Sequence, residues 1–379
     1  MRIGVNTYQL HTKITGAGRF AKNILRALSK IDRENEYILF LRKDNAGYYN
    51  INKENFTADI CNVTRGTRFR RHFAFHFQLP HLARKYNLDL FWSPSDIIPF
   101  RPLPCLSSVT IHDLKRFVMP QEFPVADRRY YQFFMRNTSR NATLFFTVSE
   151  SSGRDIMKYL DIPAERIVVV HNGLDPVLAE DEGIPLDSLR RIHGIRRKYI
   201  LFVGQMLGIK NVPRMIRAFN RCKEAAEYDF VLLGQAGSGS HEIENTIRRE
   251  SRFNDLGDRI HHIRWATTEQ LASFYMNASA LFYASLYEGF GFPLIEAMSF
   301  GVPIVASDCS SIPEVAGDAA LLVDPTDEEA MAKALGRILT EEETRKTLAQ
   351  RGHERVTQFS WENAAKKYLT VFHRLKQNQ

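Results

Sequence analysis

Two carboxylates, Glu288 and Glu296, bracket a Gly-Phe-Gly-Phe-Pro run inside "YEGFGFPLIEAMSFGVPIVAS", residues 287–307. Gly289 to Phe292 predict a turn, and Pro293 suits the first position of a helix. Glycines in such a turn expose backbone N–H groups, and a helix N-terminus favours an anion. The helix "LIEAMSF" ends at Gly301, with Pro303 beyond it. Leu294, Ala297 and Met298 share one face at i, i+3, i+4 spacing and predict packing on a sheet. Glu296 lies off that face. It is either a carboxylate turned to a ligand or a solvated surface glutamate.

Three further places carry chemistry at the ends of strand-like runs. "YILFVG" is followed by "QMLGIKNVPRMIRAF", in which Lys210 and Asn211 immediately precede a helix. A lysine there can neutralise a diphosphate, with about 0.3–1 kcal/mol more from the helix dipole. The plainer reading has Asn211 as an N-cap and Lys210 in solvent. "SSVTI" is followed by His112 and Asp113. That histidine either bonds a substrate hydroxyl and moves a proton, or caps a loop. "RIGVN" leads into "TYQLHTKITGAGRF", where Gly16 and Gly18 precede a helix expected to begin near Arg19. They suit close backbone approach to an anion, or an ordinary flexible loop. The spacing is not G-x-G-x-x-G, so a dinucleotide-dependent dehydrogenase is excluded.

The elements that hold these residues are legible as apolar runs alternating with helical patterns. Strands are expected at 2–6, 37–41, 88–93, 107–113, 144–149 and 166–173, then again at 199–204, 229–234, 259–263, 280–285, 303–307 and 319–323. Two successive α/β sets predict two doubly wound Rossmann-like domains facing a cleft, with ligands beyond the carboxyl ends of the strands. The boundaries expected are 1–185, 186–358 and a C-terminal helix in 359–379 that packs back on the first domain. The polar stretch 174–198 reads as the linker.

A chain of 379 residues, 44% hydrophobic and 25% charged, suits two globular domains. No apolar run reaches membrane-spanning length. The N-terminus lacks the pattern of a signal peptide, so a cytoplasmic location is expected. Cys61, Cys105, Cys222 and Cys309 have no metal-binding spacing and are expected as buried free thiols. The net charge of +8 is uneven: residues 1–197 hold 30 basic against 20 acidic side chains, the rest 21 against 23. A basic first half fits nucleic acid, an anionic membrane surface or an acidic substrate.

"EGFGFPLIE" resembles the E-x7-E signature of the retaining glycosyltransferases of family 4, which have the GT-B fold. "TGAGRF", "TIHDL", "TVSESS", "VVHNGLD", "VGQMLGIKN", "LYEGFGFPLIEAMSFGVPIVAS" and "SSIPEVAGDAALLVDPTD" follow in the family's order across nearly the whole chain. The later motifs are most similar to the mannosyltransferase branch that elongates bacterial surface polysaccharides. The resemblance implies a hexose, mannose first, moved from a nucleotide sugar to a saccharide or lipid-linked acceptor with retention. It implies that Glu288 stabilises charge at the anomeric carbon, that Lys210 neutralises the leaving diphosphate, and that His112 contacts the sugar. Glu296 would hold the ribose hydroxyls, and Phe290, Gly291 and Phe292 would offer backbone donors. Gly204 and Asn211 would complete the donor side, with Gly16, Gly18 and Arg19 as a phosphate or acceptor loop. No cofactor and no metal are expected. The family's usual phosphate-binding arginine is missing, because Gln205 and Ile209 occupy its two customary positions. Arg214 or a first-domain arginine is the expected substitute.

The first domain interleaves arginines with aromatics at 65–86 and 127–140, with Phe69, Phe73 and Phe77 at i, i+4, i+8. Peripheral docking on an anionic membrane presenting a lipid-linked acceptor is one reading, and two amphipathic helices with core aromatics is the other. No nucleic-acid recognition motif is present. Other functions consistent with the architecture are a nucleotide-sugar epimerase and a sugar-binding protein without chemistry.

Overall fold

The computed structural model describes residues 1–8, 10, 16–49, 51–61, 74–251 and 258–377. The chain divides into two compact units, Met1–Gly173 with Ser360–Gln379, and Leu174–Phe359. Each is built on one parallel sheet.

The first sheet contains β1 (Arg2–Asn6), β2 (Glu36–Arg42), β3 (Phe56–Cys61), β4 (Leu90–Ser93), β5 (Leu106–Ile111), β6 (Leu144–Thr147) and β7 (Ile167–Val169). Their order across the sheet is β3-β2-β1-β4-β5-β6-β7. The second contains β8 (Lys198–Val203), β9 (Tyr228–Leu233), β10 (Ile260–Ile263), β11 (Ala278–Tyr283), β12 (Ile304–Ser307) and β13 (Ala320–Val323), ordered β10-β9-β8-β11-β12-β13. Most central strands are buried along their length, as the near-continuous apolar runs require. The order reverses between β1 and β4, and again between β8 and β11. At such a reversal the loops leaving neighbouring strands splay to opposite faces and leave a crevice at the strand ends.

The C-terminal helix Trp361–Gln377 belongs to the first unit. Its Tyr368 ring lies 4.1 Å from Phe146 and 4.9 Å from Trp92, and its hydroxyl is 2.9 Å from Thr110 Oγ1 inside the core.

Three expectations about organisation are corrected. The chain crosses between units at Gly173–Leu174, ahead of the stretch 174–198, which is not a loose linker. It forms helices Pro176–Ala179 and Leu186–His193, burying Leu178 and Leu189, and Ile184 donates its N–H to Ser273 Oγ at 2.6 Å. Gly16 and Gly18 do not precede the first helix. They lie within its first turn, since the helix spans Gly16–Ile31 and buries Gly18. Of the cysteines, Cys222 is buried, whereas Cys105 and Cys309 are half-buried free thiols. Phe69 and Phe73 lie outside the described residues. Phe77 sits in a π-helical turn, Ala74–Gln78, leading into the helix Leu79–Lys85.

Candidate active site

In the second unit the loop after β8 carries Lys210, and the loop after β11 carries Glu288. These strands are the neighbours at which the sheet order reverses. Lys210 Nζ donates to Glu288 Oε1 at 2.5 Å, and both side chains are mostly buried. The Tyr283 hydroxyl, at the end of β11, donates to the same Oε1 at 2.7 Å. Lys210 Nζ also donates to the Tyr283 oxygen at 3.2 Å, closing a three-membered network. Burial, reinforced by the Glu288 charge, holds the Tyr283 hydroxyl well above its ordinary pKa. It is therefore a fixed neutral donor.

Glycines and two left-handed residues position this network. A Cβ on Gly234, at the end of β9, would lie 1.9 Å from the Gly204 carbonyl oxygen, so the loops after β8 and β9 run together only with glycine there. Met206 N–H then donates to Gln235 O, and Gly239 N–H to Met206 O, each at 3.0 Å. Gly204 thus shapes the loop that delivers Lys210. Asn211 has φ +59° and Ser310 φ +53°, conformations costly for non-glycine residues. Ser310 Oγ accepts the Glu288 N–H at 3.0 Å, and Ser311 Oγ donates to the carbonyls of Glu288 and Phe290. The Glu288 turn is held from behind by these two serines.

Asn211 is neither an N-cap through its side chain nor a free donor. Its amide donates to Ala284 O at 2.9 Å and Pro325 O at 2.7 Å, and its oxygen accepts from Arg214 at 3.0 Å. Both amide hydrogens are committed, so the side chain locks the backbone next to Lys210. Ile209 is buried, and Gln205 is exposed. The position before the lysine is therefore core.

Gly291 has φ +103° and precedes the helix Phe292–Ser299, with Pro293 in its first turn. Phe290 is buried, its ring 5.5 Å from Phe292 and 5.6 Å from Phe359. Glu296 is only 1% exposed, which overturns the solvated alternative, and Tyr275 OH donates to its Oε2 at 2.6 Å. Leu294, Ala297 and Met298 are buried as the periodicity required.

In the first unit His112 stands at the end of β5. Its Nε2 lies 3.0 Å from Pro94 O, and a carbonyl only accepts, so Nε2 carries a proton. In the neutral ring Nδ1 is then the acceptor. The His112 N–H donates to Asp96 Oδ1 at 3.1 Å, and Phe20 packs edge-on against the ring. Burial raises the Asp96 carboxyl above its usual range, helped by the Asp113 charge and opposed by His112. Asp113 is held low against burial by Lys115, whose ammonium is 3.1 Å away.

Lys210 and Glu288 are thus brought into contact, and Glu296, Phe290, Gly291 and Phe292 follow Glu288 on one turn and helix. Sequence reasoning missed Tyr283, Tyr275, Ser310 and Ser311. Both tyrosines lie in apolar runs and read as core, and serines near a strand end carry no distinctive spacing.

A family model described as "Glycosyl transferases group 1" matches residues 187–355, and one described as "Glycosyltransferase Family 4" matches residues 14–178. The chain is similar to "O-antigen chain mannosyltransferase B" of Escherichia coli, 27% identical over 76% of this chain and 75% of that protein. The "Serotype-specific mannosyltransferase WbdA" of Escherichia coli is 23% identical over 75% of this chain, which spans only 35% of that protein. Among solved structures, sucrose-phosphate synthase from Thermosynechococcus elongatus shares the fold over all of both chains, with a TM-score of 0.79 and 20% identity.

Proposed function

We propose, because this chain belongs to the family 4 glycosyltransferases, that it moves a hexose from a nucleotide sugar to a saccharide or lipid-linked saccharide with retention of anomeric configuration. The observation that carries this reading is the Lys210–Glu288 contact at the reversal of the second sheet. A cation and a carboxylate side by side fit a diphosphate and the sugar it carries. Mannose is the favoured sugar and GDP-mannose the favoured donor, in keeping with the similarity to mannosyltransferases.

Glu288 is assigned to the donor sugar, where a fixed negative charge stabilises the developing oxocarbenium character. Lys210 and the backbone N–H groups at Phe290–Phe292 are assigned to the leaving diphosphate, without a metal. Glu296 is assigned to the ribose hydroxyls. His112 is assigned to a sugar hydroxyl through Nδ1, and Gly16, Gly18 and Arg19 to phosphate or acceptor. Arg214, held by Asn211 next to Lys210, is the nearest candidate in sequence for the missing second phosphate cation. Front-face attack, with the diphosphate oxygen taking the acceptor's proton, is favoured over a covalent intermediate.

Mass spectrometry of donor turnover tests the class. With GDP-mannose, UDP-glucose, UDP-N-acetylglucosamine and dTDP-rhamnose, each beside a membrane lipid extract, one nucleotide is released together with a glycosylated lipid. Glu296→Ala lowers donor affinity at least ten-fold, since a buried carboxylate that grips two hydroxyls loses both bonds. Donor turnover without an acceptor would instead indicate an epimerase.

The acceptor is proposed to reach the first unit from an anionic membrane surface. On the helix Val125–Asn141, Arg129, Phe133, Arg136 and Arg140 are exposed, Phe133 by 66%, and exposed Phe100, beside exposed Arg101, packs on the His76 ring, which stacks on Phe134 of that helix. Basic side chains around exposed aromatics suit a phospholipid interface. Among the described residues no helix is long and apolar enough to cross a membrane. Co-sedimentation with phosphatidylglycerol vesicles at low salt is expected to fall several-fold in Arg129→Glu/Arg136→Glu, and to vanish at about 0.5 M salt. Equal binding by the variant would remove the membrane from this reading.

A further inference from the structure

Glu288 is engaged by two donors at once, and only one of them has another task. Lys210 Nζ sits 2.5 Å from Glu288 Oε1, while Tyr283 OH reaches that same oxygen at 2.7 Å. A lysine held this closely by a carboxylate has spent its charge on it. For Lys210 to meet a diphosphate it must loosen from Glu288, and a carboxylate only about a tenth exposed then loses a charged partner. Leaving a buried carboxylate short of donors is costly.

Tyr283 is built to stay. Its side chain is buried, and its ring stacks on Phe202 with centroids 5.8 Å apart. It sits on a central strand, paired with β12 at Tyr283–Ala306. Lys210, by contrast, arrives on a loop and reaches Glu288 through a long flexible chain. The two donors therefore differ in mobility at one acceptor oxygen.

We infer that Tyr283 is a positioning residue that retains Glu288 when Lys210 transfers from the carboxylate to the donor diphosphate, so that phosphate binding and sugar-side orientation are coupled through one hydroxyl. This rests on the donor-side reading above and adds to it a handover between two partners. Diphosphate binding relaxes the Lys210–Glu288 contact, and the Tyr283 hydroxyl keeps Oε1 where the contact had put it. Because that hydroxyl does not ionise near neutral pH, the handover needs no proton exchange. Without it, the lysine would have to choose between the phosphate and an unsupported carboxylate.

A double-mutant cycle read by calorimetry tests this, with GDP and UDP as the probes. Tyr283→Phe keeps the ring and removes only the hydroxyl. In the Glu288 background it is expected to weaken nucleoside diphosphate binding about ten-fold, the scale of one hydrogen bond to a charged group. In the Glu288→Gln background, where no carboxylate needs support, the same change is expected to alter binding less than about two-fold. Turnover of the donor should show the same split: in the Glu288 background Tyr283→Phe raises KM about ten-fold and lowers kcat as well, because Glu288 loses the hydroxyl that keeps Oε1 in place. Equal weakening in both backgrounds would mean a packing role and overturn the inference, as would unchanged binding in the Glu288 background. Failure of the wild-type protein to bind either nucleotide would overturn the proposed function itself, and the inference with it. The two failures are therefore distinguishable.

Discussion

Glu288→Gln is expected to lower kcat about a thousand-fold while nucleoside diphosphate binding tightens a few-fold. The two effects have one cause. Glu288 lies 2.5 Å from Lys210, and under the proposed function it competes with the donor diphosphate for that ammonium. Glutamine keeps the shape and can still accept the Tyr283 hydroxyl, but it has no charge to hold the lysine. Lys210 is then released to the diphosphate, and affinity for GDP or UDP rises. The transition state loses more than the ground state gains, because positive charge at the anomeric carbon develops only there. Removing one preorganised electrostatic group typically costs 10²–10³-fold in kcat, and a carboxylate facing a developing cation belongs at the upper end. Steady-state release of nucleotide, set beside calorimetric binding of the same nucleotide, separates the two effects. A variant retaining a tenth of wild-type turnover would remove Glu288 from the chemistry. One that loses nucleotide binding in step with turnover would mean that the charge mainly holds the Lys210 loop in place.

The residues of this site were legible in the sequence to the extent that each stands at a strand end with a chemically distinctive neighbour. Lys210 and Asn211 follow an apolar run and open a helix, and the Gly-Phe-Gly turn follows another. Parallel strands covered on both faces are written as unbroken apolar segments, which is why the alternation reads clearly. What could not be read is how buried polar atoms are satisfied. Asn211 has the composition of an N-cap, yet its amide spans from Ala284 to Pro325, more than seventy residues away. Tyr283 looks like one more aromatic in "ALFYAS", and only the fold places its hydroxyl on Glu288. Glu296 sits on a short helix whose whole centre is buried, from Leu294 to Met298, so the periodic stripe understated the depth of that face. The stretch 174–198 failed for a related reason. Prolines with mixed charge mark loops and short surface helices alike, and the apolar anchors Leu178 and Leu189 are too sparse to set a period.

The missing arginine has a structural correlate. Ile209 is buried, and its carbonyl accepts the Leu286 N–H at 2.8 Å, tying the Lys210 loop to the loop that leads into Glu288. An arginine in its place would remove an apolar anchor at the very junction that brings Lys210 to Glu288. At this position the chain keeps an apolar anchor that fixes the backbone of the Lys210 loop.

The other large expected effect is on stability, at the opposite end of the second sheet. Asp229, near the start of β9, is fully buried and accepts the backbone N–H groups of Arg196 at 3.0 Å and Arg197 at 3.2 Å. The Arg197 guanidinium is also 3.2 Å away, and His261 Nε2 on β10 lies 3.2 Å from Oδ2. Burial alone would raise this carboxyl. The adjacent His261 ring, the two amides and Arg197 outweigh it and hold the pKa down at about 2. A folded-state pKa below the ordinary value of 3.8 stabilises the folded state above pH 3.8, and that contribution is lost as pH falls through about 2. The shift corresponds to about 2 kcal/mol. Asp229→Ala removes the acceptor as well as the charge and leaves two backbone N–H groups, the Arg197 guanidinium and a histidine without it, so about 3 kcal/mol is expected at neutral pH. In a domain of this size that is a fall of roughly 6–12 °C in the melting temperature of the second unit. Calorimetry from pH 7 to pH 2.5 should show the wild-type advantage over Asp229→Asn shrinking steadily below pH 4. A difference that stayed constant with pH would mean that the packing of this side chain, and not its charge, holds β8, β9 and β10 together at that edge.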